Sequence, residues 1–100
     1  MLNKRFFKTK DEAEVTFEFS HPQAEEVCLL AEFNDWRPVL MKRNKKQGVF
    51  KCKQRIAVDK QFHFRYLIND DFWDNDHQAD GYIKNNFGSE NSIVNTQRIS

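Results

Sequence analysis

The chain lacks several features that would place it in a functional class directly. Of its 100 residues only Cys28 and Cys52 are cysteines. Neither forms a CxxC pair or a Cys/His spacing suited to zinc, so two buried, reduced thiols are favoured over a disulfide. Basic and acidic residues number 16 and 15, for a net charge of +1. This balance argues against a protein whose main task is to bind nucleic acid, because such domains are usually basic.

Long apolar runs are also missing. The N-terminal stretch Met1–Lys10 carries charged residues but no apolar segment of the kind found in secretory signals. No other stretch approaches the ~20 apolar residues that a helix needs to cross a bilayer. We therefore expect a soluble, cytoplasmic protein with no membrane partner.

Motifs for catalysis and metal binding are absent as well. One acidic stretch suggests calcium, but no glycine or closing glutamate falls at the EF-hand offsets, and a solvated loop whose aspartates form turns is favoured. A glycosidase carboxylate pair needs an enclosing cleft, which a small domain with its acids on loops is not expected to build. No G-x-S-x-G element is present, so we expect no enzyme, no catalytic residue, no cofactor and no metal. The acidic stretch that suggests calcium comprises Asp70, Asp71, Asp74, Asp76, His77 and Asp80.

Aromatic residues are what the chain has in quantity, with 10 Phe, 2 Trp and 2 Tyr. Each large ring buries ~150–250 Å², which suffices for the core of one domain of this length. Within Gln61–Ile68 the aromatic and β-branched residues recur at every second position, which predicts a half-buried strand. One parity holds Phe62, Phe64, Tyr66 and Ile68, and the other holds His63, Arg65 and Leu67.

Turn signals divide the rest of the chain into further short strands. The segment 33–38 is predicted as an ordered loop with Phe33 tucked in, the segment 42–48 as a charged turn, and the part after Trp73 as acidic and irregular. Residues 1–11 form either an edge strand or a loose arm, and no helix is predicted. The pattern indicates an all-β, antiparallel sandwich or barrel. Besides Gln61–Ile68, strands are predicted at Val15–Phe19, Glu26–Glu32, Val39–Met41, Val49–Ile56, Phe72–Trp73 and Asn91–Asn95.

Two tryptophans, Trp36 and Trp73, lie in or beside polar loops. They could cover the ends of the sandwich, since tryptophan is usually well buried. They could also be exposed platforms for sugar rings, whose apolar C–H faces pack on an indole. The hydroxyl rim of the sugar would then need partners such as Arg65 and Asn91. The residues alone leave both interpretations open.

One basic cluster, Lys42–Lys46, could contact phosphate. The near-neutral net charge and the lack of interleaved aromatic residues favour a solvated hairpin end instead.

Two motifs in the right order and spacing resemble a known family. They are Val27-x-Leu29-x-Ala31-Glu32-Phe33-Asn34-Asp35-Trp36 and Asn85-x-Phe87-Gly88-Ser89-Glu90-Asn91. Over about residues 12–96 the chain is similar to the isoamylase N-terminal early-set domain, the glycogen-binding module of carbohydrate-binding family 48. The resemblance implies an immunoglobulin-like β-sandwich. The chain departs from the family's pattern at Ala31, where glycine is usual, and at Asn69-Asp70-Asp71, where the family has an Asp-Gly turn.

The resemblance also implies a function and a set of carbohydrate-binding residues. The function would be non-catalytic binding of α-1,4-glucan, with a protein-interaction or detached accessory domain of a glycogen-metabolising enzyme as the alternative. The stacking tryptophans would be Trp36 and Trp73, with Phe72 as a rival because the preceding turn is one residue longer. The remaining contacts would come from Arg65, Phe87, Ser89 and Asn91.

Overall fold

A computed structural model of the chain describes residues 1–98. Within that range the chain has no α-helix, and its one helical turn is the 3-10 turn Glu32–Asn34. The remaining regular structure consists of strands: β1 Leu2–Phe6, β2 Glu12–Ser20, β3 Val27–Ala31, β4 Val39–Leu40, β5 Lys42–Asn44, β6 Val49–Ala57, β7 Gln61–Ile68, β8 Phe72–Asp74, β9 Gly81–Lys84 and β10 Glu90–Asn95.

The strands form two antiparallel sheets. A four-stranded sheet has the order β1-β2-β6-β5. A six-stranded sheet has the order β4-β3-β7-β10-β9, and β8 pairs with β7 beside β10. The sheets pack face to face, so the predicted all-β fold, an antiparallel β-sandwich of immunoglobulin-like type, is confirmed.

Period-two alternation places one side of each long strand in the core. In β7 the side chains of Phe64, Tyr66 and Ile68 are buried, as the sequence predicts. In β2 the buried residues likewise alternate with residues on the solvent side. Phe33 is tucked against this core, with its ring 5.8 Å from that of Phe17 and 5.7 Å from that of Phe62. The interior is thus built largely from contacting aromatic rings.

Two segments differ from the sequence-based prediction, and a third adopts one of its two predicted alternatives. Residues 81–84, expected to be irregular, form β9 against β10. The expected charged turn begins as a strand, because Lys42–Asn44 pairs with β6 before the chain turns. Residues 1–11 contain the edge strand β1, paired with β2 along Leu2–Phe6, which is the edge-strand alternative of the prediction. All three segments are short, so pairing with the neighbouring strand rather than a hydrophobic pattern of their own determines their structure.

Asp76 does not lie in a solvated loop, as its acidic neighbourhood suggested. Its side chain is 0% exposed and accepts hydrogen bonds from the Tyr66 hydroxyl at 2.8 Å and from the backbone N–H of Gln78. The α-amino group of Met1 lies 2.6 Å from Oδ2 and 2.7 Å from Oδ1 of the same carboxylate. Burial and the neighbouring Asp76 raise the pKa of Tyr66 far above its usual range, so the phenol stays protonated and donates.

Both cysteines are free and partly buried. Burial raises the pKa of each thiol, and at Cys28 the carboxylates of Glu26 and Asp70 add to the effect. Neither thiol therefore has the lowered pKa of a reactive cysteine. Within residues 1–98 no helix has the length and apolarity to cross a membrane.

Candidate functional site

One side of the six-stranded sheet faces away from the core and is called here the outer face. Along β7 it bears the alternate residues Arg65 and Leu67, both half-buried. The strand pairing brings Leu30 opposite Arg65 and Trp73 opposite Leu67. Because paired residues of adjacent strands project to the same side, all four side chains belong to the outer face.

Trp73 and Arg65 are in contact on this face. The guanidinium carbon of Arg65 lies 5.3 Å from the centroid of the Trp73 ring, which is a cation–π distance. The indole is 48% exposed. The contact limits the positions that the long arginine side chain adopts, so the guanidinium is held beside an accessible aromatic surface.

Phe72, the rival of Trp73, lies on the other side of β8. It pairs with Ile68, whose side chain points into the sandwich, whereas Trp73 pairs with the outward residue Leu67. Phe72 is 65% exposed because β8 lies at the end of the sheet. The residue that shares a face with Arg65 is therefore Trp73.

The turn before β8 determines this orientation. Asn69 and Asp70 both have positive φ, 52° and 57°, and the N–H of Asp71 donates to the Ile68 carbonyl at 3.0 Å. Asn69 also accepts hydrogen bonds from the backbone N–H groups of Glu25 and Glu26. Its side chain thus ties the β7–β8 turn to the segment that leads into β3.

Replacing Asp70 by glycine is expected to raise the free energy of unfolding by about 0.5–1 kcal/mol, because glycine adopts positive φ without steric cost. Asn69→Gly is the matched control. It relieves the same conformation but removes the acceptor used by Glu25 and Glu26, so we expect it to destabilise the domain. Urea unfolding of both variants checks the pair, and a stabilising Asn69→Gly would contradict this account of the turn.

Trp36 lies in a tight turn that follows the 3-10 turn. Its N–H donates to the Ala31 carbonyl at 2.8 Å, and both Asp35 and Trp36 have positive φ, 61° and 60°. A bulky residue in this conformation is rare and costs free energy. The indole is 38% exposed, so it does not serve as a buried cap of the sandwich. Ala31, whose carbonyl accepts from the Trp36 N–H, lies three residues along β3 from Cys28, a distance of about 10 Å. Cys28 pairs with Leu67, which in turn pairs with Trp73.

The loop between β9 and β10 carries Phe87 and Ser89, and Asn91 follows it as the second residue of β10. Phe87 is at its tip and is 93% exposed. Ser89 and Asn91 are both bonded to Asn85, whose Nδ2 donates to Ser89 Oγ at 2.9 Å and to Asn91 Oδ1 at 3.1 Å. The Oδ1 of Asn85 accepts from the N–H of Phe87 at 2.9 Å. Asn85 therefore holds the loop together. In the sequence, only its place within the motif distinguishes it from other turn asparagines.

The geometry brings some predicted residues together and keeps others apart. Arg65 contacts Trp73, and Asn85 links Ser89 with Asn91. Asn91 follows the register of β10 against β7 toward Arg65, since its neighbour Ser92 pairs with Phe64. Continued by one residue, this register places Asn91 level with Arg65, while Trp73 lies two residues further along β7, opposite Leu67. Trp36 and Phe87 occupy separate loops.

The outer face offers stacking surfaces and hydrogen-bond donors rather than a reactive group. Asn91 Oδ1 is occupied by Asn85, so its amide presents Nδ2 as a donor. Within residues 1–98 no group of three or more His, Cys, Asp or Glu side chains is placed to hold a metal ion. The arrangement suits a neutral ligand with a flat apolar face and polar edges.

No protein-family model matches the chain, and no curated protein matches it in sequence. Among solved structures it is similar to the enterobactin esterase FES from Shigella flexneri, determined in the presence of 2,3-dihydroxy-N-benzoyl-serine. The TM-score is 0.76 at 12% sequence identity, over 95% of this chain and 32% of that chain. This chain therefore spans about a third of the enzyme's length, and at this identity the likeness is one of fold alone.

Proposed function

We propose that this chain is a non-catalytic α-glucan-binding module that takes glycogen, starch or maltooligosaccharides on the outer face. The observation that carries the proposal is the half-exposed indole of Trp73 with the Arg65 guanidinium held beside it. A pyranose ring packs its C–H face on an aromatic surface, and its hydroxyl groups accept from a planar guanidinium. The finer assignment, to the glycogen-binding modules of carbohydrate-binding family 48, rests on the motif resemblance.

Each partner has a distinct role in this proposal. Trp73 and Trp36 provide platforms for successive glucose rings, while Arg65 and the Nδ2 of Asn91 bond hydroxyl groups. Phe87, at the loop tip, closes over one side of the sugar, and Ser89 adds a hydroxyl at the border. The Arg65–Trp73 contact and the Asn85 network order these groups before the ligand arrives, which lowers the entropic cost of binding.

Affinity is expected to be weak. The outer face is open, so a bound chain keeps much of its surface in water. Each hydrogen bond exchanged with water adds only about 1 kcal/mol. A module of this kind in the cytoplasm would hold a polymer through many weak encounters rather than through one tight site.

Titration with maltoheptaose, followed by tryptophan fluorescence, tests the proposal. We expect saturable binding by the wild type and a loss of about tenfold or more in Trp73→Ala, equivalent to ~1.4 kcal/mol. Phe72→Ala is the matched control, because it removes an exposed ring from the opposite side of β8 and should change affinity less than about twofold. No saturable change in the wild type at millimolar sugar would overturn the proposal.

A second candidate is an accessory domain that docks on a glycogen-metabolising enzyme. The observation in its favour is an apolar row across four strands of the outer face, which ends at Leu40 on the edge strand β4, 65% exposed. Leu40→Lys separates the two candidates. It should leave maltoheptaose affinity within about twofold under the glucan proposal and should abolish co-purification with such an enzyme under the docking one. The row consists of Leu40, Cys28, Leu67 and Trp73.

A further inference from the structure

The near-neutral net charge conceals a strongly positive segment. Of the 16 basic residues, seven lie within residues 42–57, a stretch that contains none of the 15 acidic ones. The remainder of the chain is consequently net negative. A net charge of +1 is therefore the sum of two opposed regions and does not by itself describe the field near either one.

Strand pairing arranges these charges in a row. In β6 the side chains of Lys51, Lys53 and Arg55 are exposed, while the residues between them point toward the sandwich or its edge. Successive cations on one face of a strand lie ~6.6–6.8 Å apart. Lys42 of the edge strand β5 stands opposite Lys51 and extends the row sideways. These four residues, Lys42, Lys51, Lys53 and Arg55, are called here the basic ladder.

The ladder is neutralised on one side only. On the β2 side, Glu18 lies 4.0 Å from Lys51, and Glu14 pairs in register with Arg55. On the β5 side, Lys42 faces Lys51, and like charges directly opposite each other are destabilising. A cavity of ≈ 470 Å³ opens there, lined by Lys42, Arg43, Asn44, Lys45, Lys46 and Lys51.

The turn that joins β5 to β6 is firmly held. The N–H of Gly48 donates to the Asn44 carbonyl at 2.9 Å, and the N–H of Lys46 donates to Asn44 Oδ1 at 3.1 Å. Gly48 is buried against Pro22. The cations are therefore carried on an ordered hairpin rather than on a loose loop.

The other end of the ladder meets an aromatic ring. The guanidinium carbon of Arg55 lies 5.0 Å from the centroid of the Phe7 ring, and that of Arg5 lies 5.5 Å from it. Phe7 is half-buried and lines a recess of ≈ 300 Å³. Phe6 pairs with the core residue Ala13, so its side chain projects to the opposite face of the sheet. The sequence showed no aromatic residue within the basic cluster, but the β1–β2–β6 pairing brings the Phe7 ring to its end.

We propose that this side of the four-stranded sheet binds single-stranded nucleic acid. The phosphates would run along the basic ladder, and one base would stack on Phe7 in the recess, beside the Arg55 guanidinium. A regular row of point charges beside an aromatic platform is how small β domains bind single strands without sequence preference. A protein partner is less favoured, since lysine is depleted at protein interfaces. This proposal runs against the expectation that nucleic acid is not a partner, which was based on the near-neutral net charge and the lack of interleaved aromatic residues.

Fluorescence anisotropy with a labelled oligouridylate of about 12 nucleotides tests it, within the range of site sizes known for small β domains. With four phosphates engaged, log K should fall against log salt with a slope of about −3. Lys42→Gln/Lys51→Gln/Lys53→Gln should weaken binding by about tenfold or more. The charge-matched control Arg37→Gln/Lys60→Gln/Lys84→Gln, at exposed positions off the ladder, should stay within about twofold.

Further outcomes decide the nature of the ligand. Phe7→Ala should weaken oligouridylate binding about tenfold if a base stacks there. Equal losses in the two triple variants, or a salt slope near zero, would overturn the proposal. The proposal would also be overturned if the protein bound anionic phospholipid vesicles, polyglutamate or a duplex of the same length as tightly as it binds the single strand. The ladder variant should still bind maltoheptaose like the wild type, so the two proposed functions stand or fall separately.

Discussion

Asp76→Ala is expected to lower the free energy of unfolding by about 3–5 kcal/mol, a large share of the stability of a small domain. The substitution leaves the buried Tyr66 hydroxyl and the Met1 α-amino group without their shared acceptor. It also removes the acceptor of the Gln78 N–H. The cost arises because buried polar groups that lose a partner keep their full desolvation penalty. Urea unfolding, with thermal melting as a second measurement, gives the difference.

Two variants separate this effect from a general loss of acidic charge. Asp74→Ala removes a partly exposed carboxylate from the same stretch, which lies 3.5 Å from the exposed His77, and should cost less than about 0.5 kcal/mol. Tyr66→Phe removes one donor and leaves the Met1 contact in place, so about 1–2 kcal/mol is expected. Similar costs for Asp74→Ala and Asp76→Ala would contradict a structural role for the Asp76 cluster.

The strand at the centre of the fold could be predicted because its physics is local. In Gln61–Ile68 the alternation of large apolar and polar residues fixes which side is buried, whatever the neighbouring strands are. Asp76 could not be predicted in the same way. Its partners Met1, Tyr66 and Ser92 are distant in sequence, and an aspartate within an acidic stretch has the local signature of a solvated turn.

The candidate site divides along the same line. The residue types that suit a sugar ring are visible in the sequence, but the choice between Phe72 and Trp73 depends on the register after the Asn69–Asp71 turn. A one-residue change in that register exchanges the two faces of a strand. Asn85 was not predicted as a site residue, because its importance lies in its hydrogen bonds to Phe87, Ser89 and Asn91. Side-chain hydrogen bonds of this kind leave no periodic pattern in the sequence.

The arrangement of charge could not be predicted from composition for a different reason, which is that a net charge does not show where the charges lie. The excess of basic residues in segment 42–57 is visible in the sequence, but its significance depends on which side chains share a face. Only the β5–β6 register aligns Lys42 with Lys51, and only the β2–β6 pairing carries the row toward Phe7. Composition limits the partners of a protein less strictly when charges of one sign are concentrated in one segment.

Gly48→Ala is expected to destabilise the domain by about 3 kcal/mol. Gly48 has φ of +62°, a conformation that costs an alanine ~1–2 kcal/mol. A Cβ atom there would also lie 2.7 Å from Pro22 Cα, which is backbone and cannot rotate away. The β5–β6 turn would have to move off Pro22, and the bond from the His21 N–H to the Gly48 carbonyl, 2.9 Å, would be strained with it.

Gly88→Ala is the matched control for this prediction. Gly88 also has positive φ, +80°, but a Cβ atom there meets nothing within 4 Å. It should therefore show the conformational cost alone, about 1 kcal/mol, and the difference between the two variants measures the contact with Pro22. Equal losses of stability in urea would mean that the basic hairpin is not braced against Pro22.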